Sequence, residues 1–176
     1  MQYRRTTAKG ATFFFTVVTY ERRAILCHDS NVSLLREAFR SVIELHPFTI
    51  DASSYCLNIC IVFGHCLKTT TTFLCGGARS RVISADVAGM NSKAGKTAAH
   101  LRKGEQAIWQ HRYWEHQIRD NSDFIKHVEN IHYNPVKHGL VKSPAAWQHS
   151  TLHRYVKKGV YHGDWGADKE IAFDKV

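Results

Sequence analysis

A chain of 176 residues is long enough for one domain to bury a core without disulfide or metal staples. Hydrophobic residues at 44% and aromatics at 11% exclude wholesale disorder, and no run approaches the ~20 apolar residues of a membrane span. The formal charge of +9, from 24 Lys and Arg against 15 Asp and Glu, favours a polyanionic partner, since each neutralised phosphate releases condensed counterions. Charge alone does not separate such a partner from mere basic solubility. The apolar run Ala11 to Tyr20 is short, contains threonines and lacks a small-residue cleavage site, so it does not read as a signal peptide. The five cysteines, Cys27, Cys56, Cys60, Cys66 and Cys75, are an odd number; without an export signal they point to a reducing cytoplasm.

In chain order, the basic opening Met1-Gln-Tyr-Arg-Arg is expected to be loosely held. Thr12 to Thr19, aromatic and β-branched, predicts a buried strand, with Arg22 and Arg23 following. Asp29 or Ser30 is placed to cap a helix running to about Leu45, its apolar face made of Val32, Leu35, Phe39, Val42 and Ile43. After Pro47, Phe48 to Asp51 starts a second strand. From Ala52 to Ala85 the texture changes: no acidic residue before Ala85, four of the five cysteines, a threonine run and no sustained period of two or 3.6. A polar linker, Asn91 to Gln106, follows Met90. Normal texture returns at Ile108. Asp120 to Asp123 caps a helix through Ile131, with Phe124, His127, Val128 and Ile131 on one face, and Asn134-Pro135 is expected to end it. Pro144 to Val156 holds a turn and a short amphipathic piece. The order reads strand, helix, strand, irregular region, helix, tail. It predicts an α+β sandwich with one sheet and helices on one face.

Histidines crowd the second half: His100, His111, His116, His127, His132, His138, His149, His153 and His162. His127 and His132 lie five apart, not at the i, i+4 spacing of two ligands on one helical face, so most read as surface or nucleic-acid-facing groups. Cys56, Cys60, His65 and Cys66 offer ligand types within a short span, but a zinc site ordinarily pairs two knuckles and the second is missing. Arg112, Tyr113, Trp114, His116 and Arg119 interleave cations and aromatics, as a surface that stacks unpaired bases does; a core aromatic pair flanked by solvated arginines fits the same residues. Asn134-Pro-Val-Lys-His-Gly139 is a turn with two cations and a glycine suited to positive φ.

Taken together these segments resemble the REP-associated tyrosine transposases. Tyr3-Arg4-Arg5, Gly10, Phe14 to Thr19 and Arg22-Arg23 are similar to the family's opening. Ile108 to Asp120 and His127 to Val141 resemble its longest motifs, and Trp147, Ser150, His153-Arg-Tyr155, Gly159, Tyr161 and Asp164-Trp165 continue the match. The resemblance covers residues 3–52 and 91–166. It implies a ferredoxin-like α+β sandwich with an antiparallel sheet, and binding of DNA hairpins flanked by single-stranded DNA. It also implies single-strand cleavage and joining through a phosphotyrosine. In the family a His-hydrophobic-His pair on a central strand binds a divalent metal, magnesium or manganese. A tyrosine on the late helix attacks, and a polar residue four positions on completes the metal site. The resemblance assigns DNA contact to Arg4, Arg5, Arg22, Arg23, Arg112, Arg119, Lys137, His138 and Arg154.

The chain departs from the family at both catalytic points. The tyrosine's place is Asn130, and an amide cannot carry a phosphotyrosyl link; Asn134, at i+4, survives as a residual ligand. Tyr133, about 300° further round the helix, is the substitute nucleophile to consider. The histidine pair belongs near residues 58–61, where the chain reads Asn58-Ile-Cys-Ile61. Reading each codon's third base with the next codon's first two gives the family's text instead. The Asn58/Ile59 and Cys60/Ile61 junctions both yield YAT, His or Tyr, and Pro-Glu-His-Leu-His is allowed in order. Residues 52 to about 85, and at most 52–89, therefore read as translated out of frame, with a compensating shift before Met90. The expectation is one transposase-like domain over residues 1–166 with a tail over 167–176, its middle strand compromised, its catalysis impaired and no divalent metal held. The alternatives are an active enzyme using Tyr133 and an interaction module binding metal through Cys56, Cys60, His65 and Cys66.

Overall fold

The computed structural model describes residues 11–45, 47–66, 108–110 and 113–167. Strand β1 (Thr12–Val18) leads through short 3₁₀ turns to helix α1 (Asp29–Leu45). Strands β2 (Phe48–Cys56) and β3 (Ile59–Cys66) form a hairpin, and strand β4 (Trp114–Gln117) precedes helix α2 (Asn121–Lys137). A final short helix, α3 (Leu152–Lys157), follows a turn at Pro144–Ala146. The sheet order is β2-β3-β1-β4 with every pairing antiparallel, which is compatible with a ferredoxin-like plan. Arg4, Arg5, Arg112, the linker at 91–106 and the tail at 168–176 lie outside the described residues.

β1 is interior, and its three phenylalanines divide between two cores. Phe13 and Phe15 pack with Cys60 and Val62 against Val32, Leu35, Phe39 and Val42 of α1. Phe14 turns the other way and joins Ile61 and Phe63 against Val128 and Ile131 of α2. Helices therefore cover both faces, not one. The reason is that β1 and β3 are apolar on both sides, so each face needs its own lid.

The irregular reading of residues 52–66 is also corrected. β3 is fully paired, from Ile59 opposite Val18 to His65 opposite Thr12 on one side and to β2 on the other. Its apolar and β-branched residues satisfy a strand buried on both faces, and that double burial is why no alternation shows in the sequence. Gly64 is needed because β2 passes so close that a Cβ there would meet the Thr49 carbonyl oxygen at 2.1 Å.

β2 bulges between Ile50 and Ala52, which leaves the Asp51 carbonyl to accept from Arg154 and from the Tyr155 hydroxyl at 3.2 Å. Further along, the segment before α3 seals the outer edge of β2. Thr151 N–H donates to Ser53 O at 2.9 Å, Tyr55 N–H to His149 O at 3.0 Å and the Trp147 indole to Tyr55 O at 3.0 Å.

Candidate functional site

α2 begins where Asp120 accepts from the Asp123 N–H at 2.8 Å, as its capping residue was expected to. It does not stop at Asn134-Pro135. Proline removes only one hydrogen bond there, and the helix runs to Lys137 before Gly139, at φ 67°, closes it. Gly139 N–H then donates to Val136 O and Leu140 N–H to Pro135 O, the paired bonds of a Schellman motif.

His127, Asn130, Ile131, Tyr133 and Asn134 of α2 are all buried. Asn130 is 8% exposed. Tyr133 is equally buried and meets Trp165 edge-on at 6.5 Å, so the substitute nucleophile is packed beneath the tail. Opposite, Ile59, Ile61 and Phe63 of β3 face α2, while Cys60 points into the α1 core. The Asn58 amide donates to the Arg22 carbonyl at 3.2 Å. Asn134 Oδ1 is buried without a hydrogen-bond partner among the described residues, but β3 offers it no donor at 59 or 61 to share a cation. The family's metal does not fit this strand.

A different set of ligand types converges at the other end of α2. His116 Nε2 lies 2.8 Å from Asp123 Oδ2, and His127 Nδ1 lies 3.0 Å from Asp123 Oδ1. The two imidazoles are stacked at 4.6 Å and 9°, and Trp114 lies parallel over His116 at 5.7 Å. Burial works to raise the Asp123 carboxyl, but hydrogen bonds from His116 and the Arg119 amide, with the charges of both histidines, hold it below its ordinary value. Burial, joined by the charge of His116, lowers His127 by more than Asp123 raises it. Reading the histidines as surface groups missed this cluster. The usable signal was Asp123 and His127 at i, i+4 on one helical face. His132 and His149 are buried as well.

The cysteine alternative is not assembled. Along β3, Cys60 and His65 are about 16 Å apart and on opposite faces. His65 instead pairs with Asp51 at 3.0 Å. Burial pushes the Cys56 thiol up to about 11 and raises Cys60 further, away from the thiolate a metal requires.

Of the cations assigned to DNA, Arg22, Lys137 and His138 come together. Partial desolvation, then the charges of Lys137 and Arg22, pull His138 below its ordinary value. Glu21 and Arg22 both take φ 53°, in the turn that carries the chain past this point. Arg23 Nε donates to Tyr20 O at 3.2 Å. Arg119 lies at the opposite end of α2, and Arg154 spends donors on the Ile50 and Asp51 carbonyls at the bulge.

The fold and site define a one-sheet α+β protein whose second helix lays polar groups against the central strands and gathers cations at its C-terminal end. No protein-family profile matches the chain. Individual proteins do. The chain is 37% identical to the REP-associated tyrosine transposase of Escherichia coli strain K12, over 95% of this chain and 92% of that protein. It is 32% identical to a putative REP-associated tyrosine transposase of Haemophilus influenzae, over 96% and 95% of the two chains. A solved REP-associated tyrosine transposase bound to a REP hairpin superposes with a TM-score of 0.75 at 32% identity, covering 100% of this chain and 98% of that one. The chain belongs to the REP-associated tyrosine transposases. Among the described residues, no helix is long and apolar enough to cross a membrane.

Proposed function

We propose that this protein binds REP-type DNA hairpins and their single-stranded flanks in the cytoplasm, as a family member whose strand-cleaving chemistry is impaired. The observation that carries the binding is the meeting of Arg22, Lys137 and His138 at the end of the helix that holds Asn130. Cations there grip phosphates beside the position from which the family attacks. Asn130 in the tyrosine's place, with Ile59 and Ile61 on the strand face that its helix covers, supports the loss of cleavage. Residues 1–166 act as the one DNA-binding unit, Arg4, Arg5, Arg23, Arg112 and Arg119 adding phosphate contacts. The structural bonds of Arg154 favour a lesser share for it.

Binding to a labelled hairpin with a single-stranded flank, against random duplex, tests this across a salt series. Log affinity falls by about 0.9 per log salt for each phosphate neutralised. The double variant Arg22→Ala/Lys137→Ala is expected to flatten that slope by roughly two. An unchanged slope, or equal affinity for hairpin and random duplex at every salt concentration, defeats the proposal. Incubation with magnesium or manganese is expected to leave no covalent protein–DNA adduct on a denaturing gel, and an adduct mapped to Tyr133 overturns the impairment.

A further inference from the structure

The structure assigns a transition-metal site to His116, Asp123 and His127, at the junction of β4 with the first turns of α2. The three side chains each offer a ligand atom, and those atoms lie within 4.8 Å of one another. A tetrahedral ion bound at about 2.1 Å holds its donors about 3.4 Å apart, so closing the set takes shifts of about 1 Å in side chains already in contact. Two imidazoles and a carboxylate suit zinc, which takes three protein ligands where its fourth position stays open. The backbone supplies the geometry: Asp123 and His127 share a helical face at i, i+4, and β4 brings His116 alongside them.

A second observation points the same way. His127 is 3% exposed and its Nε2 is buried with no hydrogen-bond partner among the described residues. A purely hydrogen-bonded Asp–His–His network leaves that nitrogen unsatisfied. A flip about the ring's last torsion turns that unsatisfied nitrogen towards Asp123, where an ion can take it up, in exchange for the contact of Nδ1 with the Asp123 carbonyl oxygen at 2.8 Å. The family's own metal belongs on β3, where Ile59 and Ile61 stand, so this is a different position on the same face of the sheet. One helical turn separates His127 from Asn130, which places the open coordination position near DNA held there. The metal site itself does not depend on the hairpin reading, because its test needs no DNA.

Trp114, stacked on His116, provides the readout. The full-length protein, stripped with chelator, is titrated with zinc chloride and separately with cobalt chloride. One equivalent is expected to bind, with the visible absorption of tetrahedral cobalt and a change in tryptophan emission. A hundredfold excess of zinc over Kd raises Tm by roughly 5 °C. His116→Gln and Asp123→Asn, both at part-exposed positions, are each expected to weaken cobalt binding at least tenfold, while Cys56→Ser/Cys60→Ser leaves it unchanged. Circular dichroism confirms that each variant is folded. Failure of the folded wild-type protein to bind either ion overturns the assignment. So does equal affinity in the folded His116→Gln variant, or loss of binding only in the cysteine variant.

Discussion

His132 is held in a cage that only a neutral imidazole tolerates. It is fully buried, its Nε2 is 3.0 Å from the Thr151 hydroxyl, and Tyr155 and Tyr161 meet it edge-on at 4.8 and 5.6 Å. Burial, then the charges of Arg154 and His153, pull its pKa from 6.5 down to about 3. Between those values the unfolded chain takes a proton that the folded protein refuses. Stability is therefore whole above about pH 6.5 and falls as pH drops towards 3, by at most about 1.4 kcal/mol per pH unit. Urea unfolding at pH 7, 6, 5 and 4.5 measures this. His132→Gln, which keeps a polar partner for Thr151 and removes the titration, is expected to flatten the dependence by up to one proton. Parallel curves for the two proteins count against it. None of this was legible in the sequence, where nothing marks which histidine of a crowded half lies under Tyr155 and Tyr161.

Elements were legible where one face meets water. α1 announces itself by Val32, Leu35, Phe39 and Val42 at helical spacing, and α2 by Asp120 at its start. β3 was not legible, because Ile61, Val62 and Phe63 are buried on alternate faces and leave no polar residue to mark a period. β4 has four residues, too few to carry one. The candidate site divides the same way. Asn130 and Asn134 came from motif position, whereas the pairing of His116 with α2 needed the fold that brings β4 beside it. α2 is the element on which both sites depend, and its cap can be removed singly. Asp120→Ala is expected to cost about 1 kcal/mol of stability, the usual worth of an N-cap. It also frees the first turn, so Asp123 loses its fixed aim and cobalt affinity drops with it. A loss of stability with cobalt binding untouched would separate the cap from the ligand set.

At the scale of the whole molecule the sheet is intact, β3 carries isoleucines where the resemblance expects histidines, and a shifted reading frame is the origin proposed for them. Ile59, Ile61 and Phe63 lie on one face of a fully paired strand, so a segment read in a shifted frame would still pair while bringing no histidine to that face. The register also fixes where a restored pair has to stand. Histidines at 58 and 60 would lie in the hairpin turn and in the α1 core, where Cys60 is. Positions 59 and 61, with Phe63 further along, lie on the face that α2 covers. The nucleotide sequence across codons 50–92 is expected to carry one shift near codons 52–55 and its opposite near codons 85–90. Codons 58 and 60 should each end in C, so that the shifted reading gives CAT, histidine, across the 58/59 and 60/61 junctions. The protein offers a direct counterpart. Ile59→His/Ile61→His should gain a divalent ion that persists when His116→Gln is added, yet form no DNA adduct, because Asn130 cannot attack. Asn130→Tyr alone should also fail, for want of a metal to polarise the phosphate. The triple variant, assayed on a hairpin-flanked single strand with magnesium or manganese, is the one expected to leave a covalent adduct on a denaturing gel. A histidine at buried position 61, beside one at part-buried 59, carries a stability cost, so folding of each variant is checked first by circular dichroism. An adduct from the double-histidine variant with Asn130 in place would show that another residue is the nucleophile. Codons 58 and 60 unable to give histidine would remove the frame shift as the origin of Ile59 and Ile61.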